Sequence, residues 1–221
     1  MEFTVSWFSA GVSSAVATKL AIDRVDKIFY IHIENQHPDT MRFVRDCERW
    51  FGKPVEVLQS PYKSVENVCR CKRFINGPSG ACCTRLLKKM VRQQYEYELP
   101  PFIHLNYVWG MDLLETQRCA RLQETMPDFG HIFPLIENNL TKEAAHKLLF
   151  ANGIKRPLMY DLGYHNNNCV GCVKGGKGYW NKIRTDFPEA FTQMALLERE
   201  IGASCIRGGV LGRTRLSSRA A

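Results

Sequence analysis

Residues 3–14 read Phe-Thr-Val-Ser-Trp-Phe-Ser-Ala-Gly-Val-Ser-Ser. The first part, Phe3 to Phe8, is apolar and partly β-branched, which predicts a buried strand. Mostly small side chains follow from Ser9 to Ser14 and lead into a helical pattern. Small residues let an anion approach the backbone, and the free N–H groups at a helix start supply hydrogen-bond donors. The stretch therefore predicts a strand, an anion-binding loop and a helix, although a tight turn without a ligand fits the same composition.

Strands and helices continue to alternate along the chain. Further strands are predicted at 27–33, 55–58, 106–109 and 131–135. The intervening helices include 39–51, 86–97, 113–124 and 141–151, and two shorter ones follow at about 178–186 and 188–201. This order predicts an α/β fold with a mainly parallel five-stranded sheet and helices on both faces. Because such sheets bind ligands beyond the carboxyl ends of their strands, loops 9–14, 34–39 and 110–115 are expected to face one crevice.

Length and composition favour one globular domain. The 221 residues contain 45% hydrophobic and 24% charged side chains, which excludes a wholly disordered or fibrous chain. We expect a single nucleotide-binding domain over residues 1–205, with a cysteine-bearing segment from about 161, and a basic tail over 206–221. The sequence shows no membrane span and no basic, apolar leader, so we expect a cytoplasmic protein without a membrane partner.

Nine cysteines without a secretory signal do not predict a disulfide framework. Cys69 and Cys71 form a spare pair, which fits either a sulfur-carrying or redox role or a surface turn. Adjacent cysteines point in different directions, which favours a 4Fe–4S cluster over one tetrahedral zinc ion. Zinc and unligated thiols are the alternatives. The predicted cluster ligands are Cys82, Cys83, Cys169 and Cys172.

Several of these segments resemble one protein family. Ser-Ala-Gly-Val-Ser-Ser at 9–14 resembles the Ser-Gly-Gly-x-Asp-Ser loop of the PP-loop pyrophosphatase superfamily, with Ala10 in place of a glycine and Ser13 in place of the aspartate. Residues 109–121 resemble its Gly-x-Arg-x-x-(Glu/Gln)-x-x-x-Arg pattern, and 34–40 and 157–164 resemble further segments in the expected order. The cysteine pairs are similar to the Cys-Cys…Cys-x-x-Cys signature of bacterial adenylyl-sulfate reductases. The chain is therefore identified as similar to the phosphoadenylyl-sulfate/adenylyl-sulfate reductase family.

The resemblance implies an oxidoreductase that acts on a sulfur group. Its substrate would be an adenine nucleotide (ATP, adenylyl sulfate or phosphoadenylyl sulfate) bound next to a 4Fe–4S cluster, and its electron donor a thiol protein such as thioredoxin. The reductases also carry a C-terminal Lys-x-Glu-Cys-Gly-x-His peptide, which this sequence lacks, and Cys205 is the candidate nucleophile in its place. The implied nucleotide-binding residues are Ser9, Gly11, Ser13, Ser14, Glu34, Gly110, Glu115, Arg118 and Arg121.

Two other functions fit the same residues. An ATP-dependent sulfur transferase acting on tRNA or DNA would explain the missing peptide and the net charge of +8, although Ser13 in place of aspartate counts against ATP cleavage. A non-catalytic zinc- and nucleic-acid-binding protein is the third candidate. Residues 171–182 mix lysines with aromatic side chains, as nucleic-acid surfaces often do. The oligomeric state is not encoded in any of these patterns.

Overall fold

The computed structural model describes residues 1–77, 80–206 and 209–212. Most of the expected basic tail therefore lies outside the described residues, and the proposed boundaries at 161 and 205 stay predictions. The chain divides into two compact units, each assembled from several stretches. Unit 1 consists of Met1–Ile31, His37–Leu58 and Tyr95–Asn167. Unit 2 consists of His32–Gln36, Gln59–Gln94 and the described residues from Asn168 onward.

A five-stranded sheet with the order β3-β2-β1-β6-β7 forms the centre of unit 1. β1 pairs in parallel with both β2 and β6, and β6 pairs in parallel with β7. The predicted α/β fold with a parallel five-stranded sheet is confirmed. The strands are β1 Glu2–Trp7, β2 Lys27–His32, β3 Val55–Gln59, β4 Asn76–Gly77, β5 Gly80–Ala81, β6 His104–Val108 and β7 Gly130–Ile132.

Helices follow the strands in the expected alternation. Pro134 begins a short helix, and for this reason the strand predicted over 131–135 already ends at Ile132. The helix over 65–72 and the small antiparallel β4–β5 pair were not predicted. The α-helices are α1 Val12–Leu20, α2 Asp39–Phe51, α3 Val65–Lys72, α4 Met90–Glu98, α5 Thr116–Thr125, α6 Pro134–Glu137, α7 Lys142–Ala151, α8 Leu158–Asp161, α9 Lys177–Asp186 and α10 Pro188–Ile201. A π-helical segment, Thr84–Lys89, leads into α4, and the 3-10 turn Leu113–Glu115 leads into α5.

Alternating side chains on the strands bury both faces of the sheet. On β2, Ile28 and Tyr30 join a core cluster to which α1, α2 and α7 contribute. Phe29, between them, points to the opposite face and packs against Tyr95 of α4, with ring centroids 4.6 Å apart. Helical residues therefore cover both faces, as parallel sheets require, and the loops at the strand ends remain to form sites. Within the described residues, no helix combines the length and the apolar character needed to cross a membrane.

Candidate anion-binding and thiol sites

The loop between β1 and α1 brings backbone N–H groups to the start of a helix. Gly11 is the N-cap of α1 and has no side chain of its own with which to cap it. The N–H of Val12 donates to the hydroxyl of Tyr160, at 3.3 Å, and burial raises the pKa of that tyrosine. Ala10 has φ +57°, in the left-handed region that glycine adopts without strain. The position where the family loop has glycine thus retains a glycine-like backbone conformation.

The position that a Cβ on Gly11 would take is surrounded by hydroxyl groups and has room for one methyl group. A Cβ at Gly11 would lie 3.5 Å from Tyr160 Oη, 3.7 Å from Ser9 Oγ and 3.9 Å from Ser14 Oγ. Its φ of −95° is open to any residue, so the backbone conformation does not demand glycine here. Ser9 Oγ donates to Ser14 Oγ at 2.9 Å, and Ser14 Oγ donates to the Gly11 carbonyl at 2.9 Å. We call this space the Gly11 hollow. Its hydroxyl groups and helix N-terminus suit an oxyanion.

Gly110 is required by close packing against the same loop. A Cβ on Gly110 would lie 2.6 Å from Ser14 Cα and 2.7 Å from Ser14 N. Backbone atoms cannot swing away from such a contact as the end of a side chain can. The loop after β6 therefore lies directly against the first turn of α1, which also carries the half-buried Ser13. The structure thus brings together five predicted residues: Ser9, Gly11, Ser13, Ser14 and Gly110.

A buried amide that the sequence did not single out braces the loop. Asn167 Nδ2 donates to the Ala10 carbonyl at 2.8 Å and to Thr40 Oγ1 at 3.2 Å. Both Asn167 and Thr40 are buried. Ala10 and Asn167 are 157 positions apart in the sequence, so no local pattern could have indicated their contact.

The remaining predicted anion ligands bind partners outside the loop. Glu115 completes a capping box with Asp112 and pairs with Arg118 at 2.5 Å. Arg121 donates to the Gln117 carbonyl of its own helix. Both arginines are exposed, so ligand roles for Arg118 and Arg121 stay predictions. Glu34 belongs to unit 2, where it is exposed, and its role stays a prediction as well.

The four predicted cluster thiols all belong to unit 2. Cys82 and Cys83 follow β5 directly, and Cys83 is the N-cap of the π-helical segment. Cys169 and Cys172 flank a turn in which Gly171 has φ +73°. All four are half-buried. The thiol of Cys82 donates to the Phe74 carbonyl at 3.2 Å.

A tyrosine hydroxyl fixes the spacing of Cys169 and Cys172. The N–H of Cys172 donates to Tyr179 Oη at 2.8 Å, and Tyr179 Oη donates to the Cys169 carbonyl at 3.0 Å. Gly175 makes room for the ring, since a Cβ there would lie 2.0 Å from Tyr179 Cδ1. Behind the turn, Gly171 faces the fully buried Trp180. The aromatic residues of 171–182, which suggested a nucleic-acid surface, hold the cysteine turn in this structure.

Electrostatic interactions show which thiols lie near one another. Burial raises the pKa of Cys169 to about 12, while Lys88 opposes the shift and Cys172 and Cys83 add to it. Burial also raises the pKa of Cys83, with Cys172 and Cys82 adding and Lys174 and Lys88 opposing. The thiols from the two halves of the sequence therefore interact, and the lysines lower the cost of forming thiolates.

Four cysteines form the donor set that a 4Fe–4S cluster uses, one thiolate for each iron. Among the described residues, no group of three or more histidine, cysteine, aspartate or glutamate side chains is arranged to hold a single metal ion. The residues present fit the cluster by the chemistry of their donor atoms, and its presence stays a prediction.

Two further cysteines of unit 2 lie beside these thiols. Cys69 is buried on α3 and within hydrogen-bonding reach of Cys82, and burial followed by Cys82 raises its pKa. Cys71, two positions on, is exposed, because residues i and i+2 of a helix do not face the same way. The interpretation of Cys69 and Cys71 as a surface turn is wrong, since both lie on a helix.

Cys205 has the surroundings of a protected thiol. It is buried, and burial, followed by the carboxylate of Glu198, raises its pKa. Glu198 is itself buried and accepts hydrogen bonds from the N–H groups of Cys205, at 2.5 Å, and Leu211, at 2.6 Å. A nearby carboxylate opposes thiolate formation. The predicted nucleophilic role of Cys205 therefore stays a prediction, with unfavourable surroundings.

No protein-family model matches the sequence, and no curated protein matches it. Among solved structures, the chain is similar to the crystal structure of phosphoadenylyl-sulfate (PAPS) reductase from Candida auris in complex with phosphate. The two share 16% identity and a TM-score of 0.48 over 74% of this chain and 78% of that chain. The α/β fold is established by the order and parallel pairing of the strands themselves. Membership of the reductase family stays a prediction.

Proposed function

We propose that this protein is a sulfonucleotide reductase-like enzyme of the PP-loop type. It binds the phosphate or sulfate groups of an adenine nucleotide at the Gly11 hollow and holds a 4Fe–4S cluster on the four half-buried cysteines of unit 2. The Gly11 hollow is the observation that carries the proposal, because three hydroxyl groups and the first turn of α1 surround the position that a Cβ on Gly11 would take.

Binding in the hollow follows from its donors. The N–H groups of the first turn of α1 supply positive potential to an oxyanion, and the hydroxyl groups of Ser9 and Ser14 can rotate to donate to it. Tyr160 stays protonated, since burial raises its pKa, and therefore keeps a proton to donate. In this proposal, Arg118 and Arg121 meet the outer anionic groups of the nucleotide.

The thiols of unit 2 supply the sulfur and metal chemistry. Tyr179 holds the backbone of Cys169 and Cys172 in place, while Lys88 and Lys174 offset the charge of the thiolates. Four such thiolates carry net negative charge, which nearby ammonium groups stabilise. An iron–sulfur cluster bound there supplies a charged, redox-active centre.

Sulfonucleotide reduction also requires an attacking thiolate. In the proposed reaction, Cys205 attacks the sulfur of adenylyl sulfate, AMP leaves with the electron pair of the broken O–S bond, and a thiosulfonate forms on Cys205. A dithiol protein such as thioredoxin then attacks Cys205 Sγ, releases sulfite and becomes a disulfide. The attack requires Cys205 to leave its buried place beside Glu198 and lose its proton.

The test uses protein purified anaerobically and assayed for iron and sulfide. A sample that contains about four irons per chain is incubated with adenylyl sulfate and reduced thioredoxin. We expect sulfite from the unaltered protein, less sulfite at limiting adenylyl sulfate from Gly11→Ala, and none from Cys205→Ser. An absence of sulfite from a cluster-replete sample overturns the reductase proposal. Sulfite formation by Cys205→Ser would instead remove that residue from the reaction.

The burial of Cys205 favours a second candidate, an ATP-dependent sulfur transferase acting on tRNA or DNA. Such an enzyme needs no attacking thiol at the end of the chain, and the same hollow would bind the phosphates of ATP. The discriminating measurement is conversion of ATP to AMP with and without added tRNA or single-stranded DNA. Stimulated turnover in a sample that releases no sulfite supports the transferase.

A further inference from the structure

A second concave surface of unit 1 lies at the C-terminal end of α7. It has a volume of about 670 Å³, and none of the residues discussed as nucleotide ligands lines it. Leu149, Phe150 and Ile154 supply its apolar wall, and Lys147, Lys155 and Arg156 supply its charge. We call it the α7 groove.

The local backbone explains why these residues meet. Gly153, with φ +72°, ends α7 in the left-handed region, and the N–H of Ile154 donates back to the Leu149 carbonyl at 3.2 Å. This arrangement is a Schellman motif, which reverses the chain at a helix end. Lys155 and Arg156 are therefore carried alongside the exposed end of the helix that bears Phe150.

Arg42 fixes the backbone that carries the basic side chains of the α7 groove. The guanidinium of Arg42 donates to the carbonyls of Lys155, at 2.9 Å, and Arg156, at 3.0 Å. Asp39 and Asp46 in turn hold Arg42 through ion pairs of 2.7 Å each. With both carbonyls engaged, the two basic side chains are presented to solvent from a fixed backbone.

Phe150 is the unusual member of this surface. Its side chain is 83% exposed, although it follows the buried Leu149 on an amphipathic helix. Lys147 precedes it by three positions and lies on the same face of the helix. An exposed aromatic ring flanked by ammonium groups is the arrangement with which proteins bind single-stranded nucleic acid, stacking on bases and neutralising phosphates.

The electrostatic surroundings of His146 agree with a positive groove. His146 lines the groove, and burial, followed by the charges of Arg156 and Lys142, lowers its pKa, while the carboxylate of Glu143 opposes the shift. The carboxylate that lines the groove, Asp161, is already paired with Arg156 at 2.7 Å. The two lysines therefore remain to meet an incoming anion.

We propose that the α7 groove binds single-stranded nucleic acid, with a base stacked on Phe150 and adjoining phosphates paired with Lys147 and Lys155. The inference is independent of the Gly11 hollow and of the reaction proposed for the enzyme. The same surface serves DNA and RNA, because stacking and phosphate pairing are common to both.

The test measures fluorescence anisotropy of labelled dT12 and rU12 with the full chain at several salt concentrations. Phe150→Ala is expected to weaken binding roughly tenfold or more while leaving the salt dependence unchanged. Lys147→Ala/Lys155→Ala should reduce the slope of log affinity against log salt by about 1.4, or about 0.7 for each phosphate that is no longer neutralised. The arms with dT12 and rU12 distinguish DNA from RNA as the preferred strand.

Matched controls separate the groove from general basicity. Phe102→Ala removes another exposed phenylalanine of unit 1, and Lys63→Ala/Lys72→Ala removes two exposed lysines of unit 2. Both controls should bind as the unaltered protein does. The proposal is overturned if neither oligonucleotide binds at 50 mM salt, if a duplex binds equally well, or if the control variants weaken binding as much as the groove variants do. Phe150→Ala should still bind AMP, which shows that the nucleotide site is intact.

Discussion

A tyrosine hydroxyl beside a glycine organises both candidate sites, but to different effect. In unit 1, the hydroxyl of Tyr160 lies 3.5 Å from the position of a Cβ on Gly11, which is an ordinary van der Waals contact. In unit 2, the ring of Tyr179 already occupies the space that a Cβ on Gly175 would need. A Cβ would therefore fit beside the first glycine, whereas at the second the protein's own side chain takes its place.

The two hydroxyl groups also connect different parts of the chain. Tyr160 accepts a hydrogen bond from Val12 N at 3.3 Å and is also hydrogen-bonded to the backbone of Asn167. Tyr179 accepts from Cys172 and donates to Cys169, at 2.8 and 3.0 Å, and thereby joins the two ends of the cysteine turn. We expect Gly175 and Tyr179 to act on stability and thiol spacing, and Gly11 and Tyr160 to act on binding.

The largest effect on the free energy of unfolding is expected for Gly175→Ala. The added methyl must displace the Tyr179 ring, which breaks the hydroxyl bridge, so the free energy of unfolding should fall by about 3 kcal/mol. For a chain of this size, the melting temperature should drop by roughly 6–12 °C. Gly176→Ala is the matched control, because a Cβ there meets nothing within 4 Å. Equal melting temperatures for the two variants would contradict a packed Tyr179 ring.

Tyr179→Phe should lower the free energy of unfolding by a smaller amount. It leaves the ring in place and deprives Cys172 N–H and the Cys169 carbonyl of their partner, at a cost of about 1–3 kcal/mol. Burial raises the pKa of Tyr179 above the ordinary tyrosine value of 10.0. The difference in the free energy of unfolding between the variant and the unaltered protein should therefore be largest below pH 10.0 and should decline as the pH rises above that value. Urea unfolding of both proteins between pH 7 and 11 measures this difference in free energy. A difference that does not change with pH would argue against the Tyr179 hydroxyl bridge. Iron content after anaerobic purification should fall in parallel.

Tyr160→Phe is expected to lower the free energy of unfolding by about 1 kcal/mol, since it removes a hydroxyl that is hydrogen-bonded to the backbone of Val12, at 3.3 Å, and of Asn167. Affinity for AMP, measured by calorimetry, should weaken by roughly 2- to 12-fold, because one of the three hydroxyl groups around the hollow disappears. An affinity equal to that of the unaltered protein would exclude Tyr160 from the binding site.

Gly11→Ala should change stability least and binding most. The added methyl makes only ordinary contacts, and a φ of −95° suits alanine, so the free energy of unfolding should change by about 0.5 kcal/mol or less. The methyl nevertheless fills the hollow, and AMP binding should fall at least roughly tenfold. A variant that binds AMP normally would show that the hollow does not receive the anion.

Prediction from sequence succeeded for most of the elements, while the roles of the site residues stay predictions. Strand and helix periodicity identified the α/β fold, and the small residues at 9–14 identified the loop that contains the Gly11 hollow. The helix with Cys69 and the early end of the strand before Pro134 were missed. Short elements bury few residues in a regular pattern, so their periodic signal is weak.

The sequence by itself determined the alternation of strands and helices, the small-residue loop after β1 and the supply of thiols, because these depend on residue type and local spacing. Only the tertiary structure decided which groups meet: Asn167 with Ala10, Tyr160 with Val12, and Glu198 with Cys205. It also decided that the Tyr179 ring fills the space beside Gly175, whereas a Cβ on Gly11 would make only ordinary contacts. Hydrophobic periodicity acts between neighbours in the chain, whereas a hydrogen bond or a void depends on packing between segments that the chain brings together only on folding.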